Sequence, residues 1–84
     1  MRYSRNSEQY ISLRKWLVAK RHKSGMTTRA LAEELGLSHT IVAKIELGER
    51  KLEAFEFIEY CRALDVGPEE GFKTMLDILN KKHL

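Results

Sequence analysis

Apolar and small residues recur along residues 28–47 at a spacing that predicts two short helices meeting at a sharp turn. Leu31, Ala32 and Leu35 fall on one helical face, Gly36 follows at once, and Leu37, Val42 and Ile45 complete the set. Apolar positions three and four apart mark the inward side of an amphipathic helix. Thr27 and Ser38 each precede a helical run, where a hydroxyl accepts a hydrogen bond from a first-turn N–H. Gly36 supplies the left-handed conformation that ends the first helix. Ala32 is the small residue needed where two helices cross at about 90–120°. The pattern predicts helices over Thr28–Leu35 and His39–Leu47, the second closed by Gly48.

The same periodicity extends to both sides. Asn6 with Gln9 three residues on forms a capping-box pattern, so a first helix is expected to start near Ser7. Tyr10, Leu13, Leu17 and Arg21 line one face of it, and Gly25 stops it. After the polar loop Glu49-Arg50-Lys51, Leu52 and Phe55 are expected to return the chain to the core. A fourth helix is expected over Phe55–Leu64, with Phe57, Ile58, Cys61 and Leu64 inward. Gly67-Pro68 reads as a cap followed by proline at the first helical position, where its missing N–H costs nothing. The fifth helix runs to about Asn80 or Lys81, with Phe72, Met75, Leu76 and Leu79 as its expected core stripe. No segment alternates with period two, so the fold class is all-α, a bundle of five helices. Residues 1–6 are expected to form a flexible basic arm carrying Arg2 and Arg5, residues 7–81 one domain, and residues 82–84 a tail.

Composition narrows the function classes. The 84 residues suit one small domain, and 43% hydrophobic with 32% charged residues is the balance of a folded, soluble protein. No apolar run approaches the roughly 20 residues that span a bilayer, and residues 1–10 lack the apolar segment of a secretory signal. A cytoplasmic location is therefore expected, with no membrane partner. The single Cys61 cannot form an internal disulfide and lies on the apolar side of its helix, as a core residue would. His22, His39 and His83 lack metal-ligand spacing or a partnered nucleophile, so no metal, cofactor or enzymatic activity is expected. The net charge of +3 is uneven: residues 1–25 hold seven Lys/Arg against one acidic residue, and residues 52–84 hold four against seven. Such asymmetry fits one face for a polyanion, or simply solvated charge.

From Leu13 to Leu76 the chain resembles the Cro/phage-repressor helix-turn-helix family, also called the xenobiotic-response-element (XRE) type. The marks are Gly25-Met26-Thr27, LAEELGLS (residues 31–38), KIELGER (residues 44–50) and CRALDV (residues 61–66). The resemblance implies a five-helix, lambda-repressor-like domain that binds operator DNA as a dimer and regulates transcription. It also implies an internal ion pair between Arg21, late in the first helix, and Glu46, near the end of the third.

A recognition helix enters the major groove with its N-terminal residues toward base edges. With Val42 and Ile45 inward, the outward residues of the third helix are His39, Thr40, Ala43 and Lys44, the candidate base contacts. Lys44 can donate to guanine O6 and N7, Thr40 can hydrogen-bond or touch a thymine methyl, and His39 can donate to an acceptor. Ala43 offers only a methyl. The plainer alternatives are an exposed first-turn histidine, a spectator threonine, and a lysine that contacts phosphate alone. Thr28, Arg29, Ser38, Arg50 and Lys51 are the candidate phosphate contacts, and Lys20 and Lys23 add to the field or serve solubility. Many family members carry glutamine at position 28 and asparagine at position 47; Thr28 and Leu47 shorten or remove those phosphate contacts, and Glu49 adds a negative charge. These departures make dimerisation more important, and Met75 and Ile78 of the last helix are the candidate interface. No small-molecule ligand is evident. The competing reading is a protein-interaction module, such as an antitoxin or adaptor, built on the same fold.

Overall fold

A computed structural model describes residues 3–81 and contains five helices: α1 (Glu8–Lys23), α2 (Thr28–Leu35), α3 (His39–Leu47), α4 (Ala54–Ala63) and α5 (Pro68–Lys81). Among the described residues there is no strand, and no helix is long and apolar enough to cross a membrane. Arg2 of the expected arm and the 82–84 tail lie outside the described residues.

Local chemistry sets most boundaries. Ser7, rather than Asn6, caps α1: its Oγ accepts from Tyr10 N at 3.2 Å. Lys20, Arg21, His22 and Lys23 crowd the last turn of α1, where the carbonyl end of the helix dipole favours positive charge. Thr27 and Ser38 cap α2 and α3, accepting from Ala30 N at 3.0 Å and Ile41 N at 3.3 Å. Gly36 and Gly48 end these helices with φ of 68° and 85°. Helix α4 begins one residue earlier than the periodicity implies, because Glu53 and Glu56 form a reciprocal capping box there. It ends with Asp65 in the left-handed region at φ 59°, a conformation Asp tolerates better than most residues.

The core is built from Leu13 and Leu17 of α1, Leu31 and Ala32 of α2, and Val42 and Ile45 of α3. Phe57, Tyr60, Cys61, Leu64 and Val66 complete it. The outer helices differ from the expected pattern. Phe55 is 74% exposed and Phe72 60%, and Ile58, Leu76 and Leu79 also face outward. The reason lies at Gly71, which is buried against α4: a Cβ there would stand 2.8 Å from Cys61 Sγ and from the Phe57 ring. That close approach selects the inward side of α5, and Met75 and Ile78, four and seven residues on, follow it into contact with the core. Phe72, Leu76 and Leu79 lie roughly a quarter turn away. In α4, Tyr60 takes the inward place expected of Ile58.

One polar interaction crosses this core. Arg21, 8% exposed, donates from Nε and Nη2 to the Glu46 carboxylate at 2.5 and 2.9 Å, and from Nη1 to the Met26 carbonyl at 2.9 Å. The guanidinium therefore joins α1, the turn before α2, and α3. The carboxylate holds the Arg21 pKa above its ordinary value, against the opposing effect of burial. Tyr60 lies in the same field; burial, then Glu46, push its phenol up, and its buried hydroxyl has no hydrogen-bond partner among the described residues. Arg21→Ala strands Glu46 and should remove about 3 kcal/mol of stability, a fall in melting temperature of roughly 12–24 °C for a domain of this size. Thermal unfolding followed by circular dichroism checks this, and Arg21→Met combined with Glu46→Leu should recover most of the loss.

Candidate nucleic-acid interface

Helices α2 and α3 pack against each other across the Gly36-Leu37 turn, and Leu37 N returns to the Ala32 carbonyl at 3.0 Å. With Val42 and Ile45 in the core, the other side of α3 is open. Thr40 and Lys44 are exposed, His39 and Ala43 are half-buried, and Leu47 at the end of the stripe is 70% exposed. The four residues expected to read bases thus share one outward face. Leu47, which in the sequence marks only a missing donor, extends that face with an apolar side chain.

The N-terminal ends of α2 and α3 are tied together. Thr28 Oγ1 and His39 Nε2 lie 2.9 Å apart, each the first residue of its helix. A threonine hydroxyl donates or accepts, so the pair forms with either imidazole tautomer. The contact lets the short Thr28 orient the His39 ring. Ser38 Oγ serves α3 as its cap acceptor, and its proton remains available to an anion. Arg29 is exposed in the first turn of α2. A helix N-terminus carries partial positive charge, so both helix starts favour a phosphate nearby.

The other expected phosphate contacts have partners. Arg50 donates from Nη1 and Nη2 to the two Glu56 oxygens at 3.1 and 2.8 Å. The same pair holds the Glu56 carboxyl below its usual range, chiefly through the hydrogen bond from Arg50, and holds Arg50 above its own. Lys51 donates to the Tyr3 carbonyl at 2.8 Å and stands 5.4 Å from the centre of the Tyr10 ring. Lys20 lies away from the α3 stripe, paired with Glu70 of α5 at 3.1 Å and placed over Trp16. Two arginines that the sequence pattern does not single out for this region come together at the end of α3. Arg5 donates to the Gly48 carbonyl at 3.1 Å, and Arg14 donates to the Arg5 carbonyl at 3.2 Å. No spacing rule links positions 5, 14 and 48, so the sequence carries no signal for this grouping. Among the described residues no cluster of His, Cys, Asp and Glu is arranged to hold a metal.

A capped helix pair crossing at a glycine turn, with one open polar face on the second helix, defines a helix-turn-helix protein of the lambda-repressor-like kind. A helix-turn-helix family model matches residues 17–71. The solved structure of an XRE-family like protein from Pseudomonas syringae pv. tomato str. DC3000 is similar over 83% of this chain and 85% of that one, with 30% identity and a TM-score of 0.79. Among curated proteins no significant relative was found. The chain belongs to the XRE-type helix-turn-helix family, whose members are DNA-binding regulators.

The Arg50–Glu56 pair predicts a pH effect of definite sign. The folded-state pKa of Glu56 is lowered, so the pair contributes stability above the ordinary glutamate range and loses it as pH falls through the lowered value. Melting temperatures between pH 7 and about pH 3 should therefore fall more steeply for the native chain than for Arg50→Met. Parallel curves would mean that the pair adds nothing to folding.

Proposed function

We propose that the protein is a sequence-specific transcriptional regulator, acting as a repressor by occupying a two-fold operator as a dimer. The outward face of α3 carries the reading, since a helix with a polar stripe and a buried opposite side is what the major groove admits. In this reading Lys44 and Thr40 contact base edges, His39 does so in an orientation set by Thr28, and Ala43 meets a thymine methyl. Thr28, Arg29, Ser38 and Lys51 contact phosphate. Arg50 joins them with the N–H groups that Glu56 leaves over. Base contacts then supply the sequence preference, and phosphate contacts supply most of the salt-dependent affinity.

The dimer contact belongs on α5, through residues other than those first considered. Met75 and Ile78 pack inward, whereas Phe72, Leu76 and Leu79 form an outward apolar stripe. Beside it, a groove of about 640 Å³ between α4 and α5 is lined by Leu52, Ile58 and Phe72 and rimmed by Glu53 and Glu69. An isologous contact sets the same stripe against itself about a two-fold axis. Two recognition helices so related meet half-sites about 10 bp apart.

Selection of bound duplexes from a random pool tests the reading, with a palindromic consensus as the expected result. Lys44→Ala should then cost about 1–3 kcal/mol on the selected site and little on random DNA. In the same series Leu76→Glu should abolish dimers in analytical ultracentrifugation and weaken operator binding, with the fold intact. Absence of salt-dependent binding, together with an inert Lys44→Ala, would sink the regulator reading in favour of a protein-interaction module.

A further inference from the structure

The cations gathered at the C-terminal end of α3 have no role in operator recognition as proposed beyond Lys51, and their arrangement is unusual within this chain. Elsewhere the basic side chains that cross between elements end on carboxylates: Arg21 on Glu46, Lys20 on Glu70, Arg50 on Glu56. Arg5, Arg14 and Lys51 instead donate to backbone carbonyls, of Gly48, Arg5 and Tyr3 respectively. The Arg14 guanidinium also lies directly over Gly48, so close that a Cβ there would be 2.6 Å from its central carbon. Gly48 therefore serves two purposes, the left-handed end of α3 and the floor on which the arginine rests.

Three positive charges are thus held together on neutral acceptors. A guanidinium has five N–H groups and an ammonium three. Among the described residues, the bonds to Gly48, Arg5 and Tyr3 use one from each side chain and leave most donors of the cluster unfilled. Arg5 and Lys51 are exposed and Arg14 is half-buried, so these donors are open to solvent. Of the acidic residues close by in sequence, Glu46 is engaged by Arg21, whereas Glu8, Glu49 and Glu53 are exposed. A guanidinium pair gathered at Gly48, with an ammonium on the Tyr3 carbonyl two residues before Arg5, suits the tetrahedral oxygens of a phosphate diester.

Position gives the cluster its meaning. Helix α3 has nine residues, which at 1.5 Å each extend about 13–14 Å. The major groove is about 12 Å wide. A helix that sets its first turn over the bases near one strand therefore brings its last turn to the other strand's backbone. We infer that Arg5, Arg14 and Lys51 form a composite phosphate-binding site on the flanking DNA strand, with residues 3–5 set against the end of the recognition helix to complete it. The inference rests on the regulator reading and adds to it a contact that α2 and α3 do not supply. It would also offset the shortened contacts at Thr28 and Leu47 by adding anchoring at the end of α3.

Fluorescence anisotropy with the selected duplex and with a random duplex of equal length, over a series of salt concentrations, tests this. Removing one phosphate contact reduces the slope of log K against log salt by about 0.9. Arg5→Ala combined with Arg14→Ala should lower the slope by roughly 2 and weaken both duplexes by the same factor. Lys51→Gln, at an exposed position, should lower it by roughly 1. Lys73→Ala, on α5 and paired with Asp77, should leave it unchanged. A cluster that only caps α3 gives a different result: a lower melting temperature in the double variant and an unaltered slope in both the double variant and Lys51→Gln, which overturns the proposal. Weakening confined to the selected duplex also overturns it, because the cluster would then be reading sequence. If the native chain shows no salt-dependent binding, the regulator reading itself fails, and this site fails with it.

Discussion

The position of α3 depends on a single guanidinium. Arg21 reaches from α1 to the Glu46 carboxylate and the Met26 carbonyl, so three elements that share few other polar contacts are set by one rigid, planar group. Apolar packing alone leaves a short helix some freedom to rotate or slide, because methyl groups accept many neighbours. A bidentate pair does not, since its angles are narrow. A buried pair is poor evidence for stability, because desolvation offsets most of the attraction. Its contribution here is register: Glu46 lies one residue past the buried Ile45 and one before the exposed Leu47, so fixing it fixes which side of α3 faces outward. Tyr60, 1% exposed and in the same field, shows that the pair lies beside the core.

The inner half of the molecule is legible in the sequence almost to the residue, and the outer half is not. Helices α2 and α3 run as the pattern predicts because Thr27, Ser38, Gly36 and Gly48 act on their immediate neighbours, and such signals are complete within four or five residues. In α5 two apolar stripes lie a quarter turn apart, Met75 with Ile78 and Phe72 with Leu76 and Leu79, and helical periodicity accepts either. What chooses between them is Gly71, which adds nothing to a hydrophobic pattern yet allows the closest approach to Phe57 and Cys61. The left-handed residue after α4 is hidden for a related reason. Gly67 marks a helix start, and the unusual φ falls on Asp65, which carries no glycine to announce it.

The candidate site divides along the same line. The outward stripe of α3 follows from which residues are buried, so His39, Thr40, Ala43 and Lys44 share a face by simple geometry. The Arg21–Glu46 pair spans 25 positions and is accessible only through resemblance to a family. The Thr28–His39 contact and the Arg5–Arg14–Lys51 cluster are accessible by neither route. They depend on how the helix starts converge and on which carbonyls are left without amide partners at the end of α3, and both are tertiary facts.

Under the proposed operator-binding reading these features amount to a division of labour along α3. Its first turn is short of long polar side chains, and the Thr28–His39 contact holds one of them in place, so few rotamers are lost when a base is met. Beyond its last turn, Arg5, Arg14 and Lys51 from other segments are already held by backbone carbonyls and would carry no sequence information. Immobilising a long side chain on binding costs on the order of 1 kcal/mol, and both ends of the helix avoid part of that cost by being ordered beforehand. A weak set of base contacts then discriminates between sites without having to supply the affinity. In the proposed dimer the remaining affinity would come from a second copy, through the apolar stripe of α5 left outside by the glycine that seats the helix.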